Sequence, residues 1–465
     1  MASSPNPRYY GGLVCFQGIL TAVSKPVNCI VYSVWSCPED CESNEVILHY
    51  IPKTSPKCYL CKSILFENSG FRSCGEQVTA TLVMKNDLLC KKFKIPEYLF
   101  DKLVLGARHN LVGVALKKNH YIWSVESFQP ILASSVVTRI PTEVENLYKA
   151  CGGIPWKFIY CLASSIGINV CPLNCFMHLK INLILSLASV LGSVYTGCSI
   201  VHVLAAGYDT GYVESIMSAA AELANGSVYF GNANASVSTA LIASTGGVTI
   251  LPLPLHVYNQ KQLSALLSAM ESNEVTTENG KVRLKAAVWA HGMDMKKVVL
   301  FNNAGVFGTA CRGDFGEYND EIVEFLLQQA LECVKIDKEE KRALHDIKVY
   351  LDAVAGIYTK LSDVAESLLK SYFLAVRRDR PRGVSVGSMS GLIATCSASA
   401  RLCQRVEANV DDAVFAIWLH ESGSPEPRSA PEEYLKAPEN VKKLDKAMSN
   451  FKAWLEEFTG NLSDI

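Results

Sequence analysis

Residues 181–260 contain neither lysine nor arginine, although roughly eight are expected at the chain's average of 44 in 465 residues. Within this segment, residues 181–208 also lack aspartate and glutamate. A stretch of this length can cross a bilayer, but glycines and several serines interrupt it. Its second half has the continuous apolar pattern of a buried strand in a parallel sheet. We therefore interpret the segment as the core of an α/β domain and expect no membrane partner.

Residues 207–214 read Gly-Tyr-Asp-Thr-Gly-Tyr-Val-Glu and follow a strand-like run, with a helix-forming stretch beginning at Ser215. This is the outline of a phosphate-binding loop, in which glycines let backbone N–H groups close on phosphates. A working loop also has a lysine for the terminal phosphates and a serine or threonine for magnesium. Counting from Gly207, those positions hold Val213 and Glu214. We expect a degenerate nucleotide site and weak or absent ATP binding, at Gly207, Gly211, Val213 and Glu214.

The composition limits the location and the partners of the chain. The N-terminal segment lacks the basic and apolar regions of a signal peptide. Together with 17 cysteines, this predicts a reducing, intracellular compartment with buried or metal-bound thiols. The net charge of −1 gives no global attraction to nucleic acid, so DNA contact requires a local basic patch.

Residues 1–136 predict a small β-barrel of the oligonucleotide-binding type. Five runs rich in β-branched and aromatic residues are separated by turn residues, namely Gly12–Val23, Asn28–Trp35, Gln77–Met84, Leu103–Leu116 and Tyr121–Phe128. Two short cysteine pairs, Cys37-Pro-Glu-Asp-Cys41 and Cys58-Tyr-Leu-Cys61, interrupt this pattern. Two turns that each present two thiolates suit tetrahedral zinc, so a structural zinc module is expected over about residues 37–61. Chance pairing of buried thiols is the alternative, because cysteine is frequent in this chain.

The rest of the chain predicts an α/β domain followed by helices. Residues 145–318 alternate strand and helix signals, as parallel sheets with crossover helices do. Residues 319–421 are rich in helix formers, with Asn409 as a helix cap. A Pro/Ser-rich linker is expected over residues 422–438. Residues 439–465 predict an amphipathic helix that either docks on its own domain or binds a partner.

These parts in this order resemble the minichromosome maintenance (MCM) family of ring helicases. That family has an oligonucleotide-binding barrel with a zinc module, an AAA+ ATPase core of the P-loop type and a helical lid. The likeness extends from about Tyr9 to Glu421, and within the family it points to a divergent meiotic member. It is carried by Leu204-Ala-Ala-Gly207, Gly246-Gly-Val-Thr-Ile250, the segments 371–377 and 392–402, and Ile154-Pro-Trp-Lys-Phe158.

The chain departs from the family at its catalytic positions. Walker B needs an acidic pair for magnesium and water, but the matching residues are Pro252 and Leu253. The lid arginine position holds Gly387, and Arg312 matches the arginine finger only poorly. The resemblance therefore implies a degenerate core without ATPase activity.

The segment after Asn279-Gly280 supplies the DNA-binding candidates. Asn-Gly is a strong hairpin signal, and the resemblance implies a DNA-contacting hairpin near this point. Lys281, Arg283 and Lys285 recur at period two and share one strand face. Solvation of an exposed strand is the alternative reading. A second basic cluster, Arg377-Arg-Asp-Arg-Pro-Arg382, suits DNA backbone contact, nuclear import or a solvated loop.

Two functions follow from the resemblance. The first is a catalytically inactive nuclear scaffold that supports meiotic recombination and double-strand-break repair with other MCM-like proteins. The second is a DNA helicase subunit whose ATP-dependent activity is completed by partner subunits. We expect the first, because a neighbour cannot readily supply the missing Walker A lysine.

Overall fold

The computed structural model describes residues 13–41, 44–48, 51–84, 90–115, 120–128, 140–230, 236–252, 260–277, 280–292, 307, 309–313, 316–332, 338–381, 384–424 and 428–460. The chain divides into two compact units. The first comprises residues 1–129 with 277–282, and the second comprises residues 130–276 with 283–465.

The first unit is built around a closed five-stranded barrel, which confirms that part of the prediction. Its strands are β1 Leu13–Val23, β2 Val27–Ser36, β3 Glu45–Leu48, β4 Phe66–Glu67, β5 Ser73–Val83, β6 Cys90–Pro96, β7 Arg108–Ala115 and β8 His120–Phe128. The ring runs β1–β7–β8–β6–β5 and returns to β1. Strands β6 and β8 pair in parallel, and the other ring neighbours are antiparallel. Strand β2 pairs with β5 outside the ring and carries β3 and β4.

Alternating side chains of the ring strands fill the barrel. Leu20, Phe93 and Leu111 are fully buried in one apolar cluster, with Ile95 and Ile122 beside them. The five predicted runs all contain strands, but the second, β2, is not part of the ring. Strand β6 takes that place, and its Lys-Phe-Lys-Ile alternation was not recognised in the sequence. The barrel closes because both edges of the sheet find a partner, which removes unpaired backbone groups.

The second unit contains a parallel five-stranded sheet. The strands that follow along the chain are β9 Val203–Ala206, β10 Ser227–Tyr229, β11 Gly247–Pro252, β12 Glu274–Thr277, β13 Gly280–Arg283, β14 Ala286–Gly292 and β15 Thr309–Arg312. Most of β13 belongs to the first unit. The sheet order is β10–β11–β14–β9–β15, all parallel, and β12 pairs with β13 separately. Strand β9 therefore lies between β14 and β15. The sequence did not indicate strand β15. The strand-like run predicted before Gly207 forms a strand only from Val203 to Ala206, which is β9.

Helices precede this sheet and alternate with its strands along the chain, as expected for an α/β unit. They are α1 Thr142–Ala150, α2 Pro155–Ser164, α3 Met177–Thr196, α4 Thr210–Ala221, α5 Val237–Ala243 and α6 Gln260–Ser272. Helix α3 is long and apolar enough to cross a membrane, but 94% of its most apolar window is buried inside the protein. Core helices of soluble proteins meet the same criterion of length and composition.

The C-terminal region is helical. Its helices are α7 Asn319–Glu332, α8 Lys338–Val354, α9 Asp363–Asp379, α10 Val386–Leu402, α11 Val410–Gly423, α12 Glu432–Leu435 and α13 Val441–Thr459. Asn409 caps α11 by accepting a hydrogen bond from the Asp412 N–H. The short strands β16 Lys360–Leu361 and β17 Glu407–Ala408 pair in parallel between these helices.

Helix α13 docks on its own unit, as one of the two predictions for it requires. Four of its predicted apolar residues, Leu444, Met448, Phe451 and Leu455, are buried. Asp445 accepts a hydrogen bond from Trp156 Nε1 at 3.1 Å and pairs with Lys157 at 2.9 Å. In the described part of residues 422–438, where a linker is predicted, Ala430 is buried and residues 431–433 are exposed. Trp418 Nε1 donates to the Tyr434 carbonyl at 2.9 Å, and Leu435 is buried.

Buried histidines predict how the stability of the second unit depends on pH. His178 on α3 packs its ring edge against Trp418 at 4.8 Å. Burial, with a smaller effect of the Arg428 charge, lowers the pKa of His178 to about 4. The unfolded chain binds this proton below about pH 6.5 and the folded chain only near pH 4, so stability falls as the pH drops through that window.

We expect His178→Phe to remove part of this dependence. The variant keeps an aromatic ring of similar size but cannot bind a proton. Between pH 7 and pH 4, its loss of unfolding free energy is expected to be smaller than that of the parent chain by about 3 kcal/mol. Thermal unfolding at several pH values measures the difference, and His345→Phe on α8 is the control. Equal pH profiles for the parent and His178→Phe would contradict the prediction.

Candidate functional site

The four predicted metal ligands lie on two tight turns of the first unit. Cys37 directly follows β2, and the turn to Cys41 places Asp40 in the left-handed region, with φ of 53°. In the second turn the Cys58 N–H donates to the Ser63 carbonyl at 2.8 Å, and the Lys62 N–H donates to the Cys58 carbonyl at 3.1 Å. These local hydrogen bonds fix the second turn, which presents Cys58 and Cys61.

The cluster has the dimensions of a tetrahedral zinc site. The sulfur atoms of Cys37, Cys41, Cys58 and Cys61 all lie within 4.8 Å of one another. Cys37 Sγ and Cys61 Sγ are 3.4 Å apart. Four thiolates around zinc at 2.3 Å lie roughly 3.8 Å from each other. The donor set and its spacing therefore fit a structural zinc ion, as the sequence predicts.

The surrounding core is too small to hold the two turns by burial alone. Only Trp35, Cys58 and Leu65 form the buried centre among the described residues, with partly buried neighbours around it. The thiols also differ in their affinity for protons. The hydrogen bond with Cys61 and burial raise the pKa of Cys41 to about 12, whereas hydrogen bonds from Ser63 lower the pKa of Cys61. A divalent cation would release these protons and bind the resulting thiolates.

The loop after β9 is shorter than the sequence suggests. Helix α4 begins at Thr210, five residues before the expected start, so the loop consists of Gly207, Tyr208 and Asp209. Asp209 is the helix N-cap, and its carboxylate accepts a hydrogen bond from the Gly211 N–H at 2.9 Å. An anionic side chain of the protein thus occupies the helix end that a phosphate-binding loop leaves for its ligand.

Aromatic side chains fill the space beyond the carboxyl ends of β9 and β15, which we call the sheet edge. Tyr208 is 4% exposed, and its hydroxyl donates to the Arg312 carbonyl at 2.9 Å. Its ring packs on Phe176 at 5.6 Å, and Phe176 packs on Tyr318 at 4.7 Å. The ring also lies against Gly313, where a Cβ atom would come within 1.8 Å of it. Glycine is required at that position because the ring covers the backbone closely.

The degenerate site residues do not converge on a common cavity. Val213 is 1% exposed and faces the core, while Gly211 is exposed on the first turn of α4. Glu214 is half-buried on α4. Burial, and then the nearby Glu214 charge, raises the pKa of Tyr229 at the end of β10. The negative charge of Glu214 also opposes the effect of burial on His291, at the end of β14. A carboxylate therefore borders the carboxyl ends of the strands.

The other residues at positions that match the family's catalytic residues lie on separate strands and helices. Pro252 ends β11 and pairs in register with His291. Arg312 ends β15 at the same sheet edge, and Gly387 lies in the first turn of α10. Leu253, Asn279 and Arg382 lie outside the described residues.

The three DNA-binding candidates do not share one exposed strand face. Lys281 is exposed on β13, whereas Lys285 is half-buried and lies beyond the end of that strand. The Arg283 guanidinium donates to the carbonyl of Gly197, which caps the C-terminus of α3. In the second basic cluster, Arg380 pairs with buried Glu421 at 2.6 Å. Both arginines thus have structural partners.

A groove on the first unit was not anticipated from the sequence. It has a volume of about 590 Å³ and crosses the outer faces of β2, β5, β6 and β8. Tyr98, Tyr121 and Trp123 line it, together with Lys94 and Glu97 among others. Tyr98 and Trp123 are 69% and 54% exposed. These residues come from separate strands and a turn, so only the barrel topology brings them together.

No protein-family model matches the chain, and no curated protein is similar enough in sequence to match it. The structural observations that bear on function are therefore the cysteine cluster, the residues at the carboxyl ends of the parallel strands, and the groove.

Zinc content tests the cysteine cluster. We expect one zinc ion per purified chain, measured by inductively coupled plasma mass spectrometry, and its loss in the double variant Cys58→Ser with Cys61→Ser. That variant removes two of four ligands and is expected to lower the melting temperature of the first unit. Cys15→Ser with Cys90→Ser is the matched control, because both are exposed cysteines of the same unit. Zinc retained by the first variant would contradict the assignment.

Proposed function

We propose that the protein is a catalytically inactive, MCM-like scaffold of the nucleus. It supports meiotic recombination and double-strand-break repair, including crossover formation, in a complex with other MCM-like proteins. The proposal rests on the resemblance to the MCM family and, within it, to minichromosome maintenance domain-containing protein 2. A barrel with a four-cysteine cluster, a parallel α/β sheet and a helical C-terminal region follow one another in the order that the resemblance implies.

The proposed lack of ATPase activity rests on the carboxyl ends of the parallel strands. Packed aromatic rings close this edge of the sheet to a ligand. Ligands of open α/β sheets bind beyond the carboxyl ends of the strands, at the point where the strand order reverses. Here that point is β9. From β9 the chain continues to β10, the outermost strand on one side of the sheet, and after β14 it crosses to β15, the outermost strand on the other side. Tyr208 fills this position and Asp209 caps the helix behind it. A triphosphate would have to displace a packed ring and approach two carboxylates, Asp209 and Glu214.

The alternative, a helicase subunit completed by its neighbours, requires more than the partners can provide. A neighbouring subunit can contribute an arginine to a phosphate site formed between chains. It cannot readily replace Val213, which is buried within this chain, or lengthen the three-residue loop that follows β9. The inactive scaffold is therefore the better supported function.

ATP affinity separates the two functions. With magnesium present, we expect no binding in isothermal titration calorimetry, which corresponds to a Kd weaker than about 1 mM. Gly211→Trp is the variant that identifies a genuine site, since it adds a bulky side chain at an exposed position of the α4 first turn. Micromolar binding that Gly211→Trp abolishes would overturn the inactive scaffold and favour the helicase subunit.

We further propose that the groove of the first unit holds single-stranded nucleic acid. Exposed aromatic rings provide stacking surfaces for bases, and such stacking tolerates any sequence. Barrels of the oligonucleotide-binding type use their second and third strands for this purpose. In the ring, β5 and β6 are the second and third strands along the chain, and both border the groove. Lys94 lies in the groove, and Lys92 is two residues away on the same face of β6.

The charge distribution supports the same surface. Residues 1–129 contain fourteen lysines and arginines against ten acidic residues, a net charge of +4, whereas the whole chain carries −1. Positive charge is thus concentrated in the first unit, as contact with phosphates requires. Glu76 and Glu97 also line the groove. Carboxylates there disfavour phosphate but can accept hydrogen bonds from base amino groups, so the bases and not the backbone are expected to enter the groove.

Trp123→Ala tests the groove. Loss of one stacking ring is expected to weaken binding of a fluorescein-labelled single-stranded 15-mer by roughly 5- to 150-fold, since stacking contributes about 1–3 kcal/mol per base. Fluorescence anisotropy on the full chain measures the affinity at a fixed salt concentration. Tyr59→Ala is the control, because Tyr59 is 72% exposed on the second cysteine turn, outside the groove. Unchanged affinity in Trp123→Ala, or an equal loss in Tyr59→Ala, would refute the groove as the binding surface.

A further inference from the structure

Helix α7 exposes an apolar stripe along its whole length. Val323, Leu326, Leu327 and Leu331 are 55%, 45%, 59% and 83% exposed. Their spacing of three and four residues places them on one face of the helix, and the exposed Ala330 lies between them on that face. Single exposed apolar residues are ordinary on protein surfaces, but a continuous apolar stripe marks an interaction site.

The helix is held by a different face. Ile322 is 2% exposed, and Phe325 and Gln329 are half-buried. These three positions also recur at helical spacing, and at 3.6 residues per turn they lie beside the stripe, next to Leu326 and on the opposite side of the helix from Leu331. Helix α7 therefore contacts the rest of the second unit through this face, and the stripe stays exposed to a partner.

Acidic residues border the stripe on the side away from the protein. At 3.6 residues per turn, Asp320 and Glu324 lie along one edge of it, and both are exposed. Glu321 lies further round the same side and is also exposed. No lysine or arginine occurs between Arg312 and Lys335. The stripe thus combines an apolar surface with a purely negative edge.

We propose that the α7 stripe docks an amphipathic helix of another protein, whose apolar face is bordered by lysine or arginine. Two helices that pack face to face contact each other through apolar residues at spacings of three and four, which is the spacing that α7 presents. The negative edge selects a partner with basic residues beside those anchors, because charge complementarity steers association and sets register. This inference is independent of the groove and of the nucleotide question.

A second copy of the chain fits the stripe less well. Two α7 helices packed face to face in antiparallel orientation bring their acidic edges together, and like charges at such an edge disfavour pairing. A parallel arrangement supplies no basic residue either, since α7 contains none. The charge pattern therefore points to a different, basic partner.

The test uses a synthetic helical peptide with leucine at positions of helical spacing and lysine at the others. Binding to the full chain is measured by fluorescence anisotropy. We expect Leu327→Ser with Leu331→Ser to raise the Kd at least tenfold, since both side chains are exposed and their loss leaves the fold intact. Leu374→Ser on α9 is the matched control, because Leu374 is also exposed, at 51%. An unchanged Kd in the double serine variant would overturn the proposal.

Two further experiments test the role of the acidic edge and whether a second copy of the chain occupies the stripe. Asp320→Lys with Glu324→Lys is expected to weaken the leucine–lysine peptide at least fivefold and to strengthen a leucine–glutamate peptide. Equal affinity of the parent chain for both peptides, or for a leucine–lysine peptide with scrambled spacing, would refute the basic amphipathic partner. Sedimentation velocity examines the second copy. A dimer that the double serine variant dissociates would replace the proposed partner with self-association.

Discussion

The burial of helix α3 is the constraint on which the second unit depends. Every residue from Met177 to Ser193 is buried, so the polar groups on this helix need internal partners. Ser186 donates to the Val201 carbonyl at 2.6 Å and accepts from Trp289 Nε1 at 2.8 Å, which joins the helix to the sheet. Arg401 of α10 donates to the Ala188 carbonyl at 3.3 Å. Residues 181–196 of this helix carry no charged side chain, and ionised side chains there would need additional partners.

The start of α3 also determines how the sheet edge is closed. Lys180 is fully buried and donates to the carbonyls of Pro172 and Leu173, which holds the turn before the helix. This turn leaves Phe176 in the left-handed region, with φ of 58°, and brings its ring against Tyr208. The ring of Tyr208 in turn covers Gly313. The closed edge is therefore a consequence of core packing that begins more than 25 residues upstream of the loop.

Local chemistry made some features predictable from the sequence and left others out of reach. The cysteine cluster was predictable because each pair closes its own short turn, so spacing alone brings the two thiols of a pair together. The predicted start of α4 was wrong because Asp209 caps the helix five residues earlier than expected. The glycine pattern instead indicated a long loop in this segment. The role of Arg283 could not be predicted, since its acceptor, Gly197, is 86 residues away. The groove residues Tyr98 and Trp123 likewise meet only through the strand order of the barrel.

The residues at the sheet edge depend on one another, so no single substitution would restore a phosphate site there. A lysine in place of Val213 would bury an ammonium group without a carboxylate partner in the core, at a cost of several kcal/mol. Removing the Tyr208 ring would leave a cavity against Gly313 and Phe176, while the loop would remain too short to surround a phosphate. Asp209 would continue to occupy the N-terminus of α4. The surfaces still open to ligands lie elsewhere, on the groove of the barrel and on α7, where binding does not require the packed edge to be dismantled.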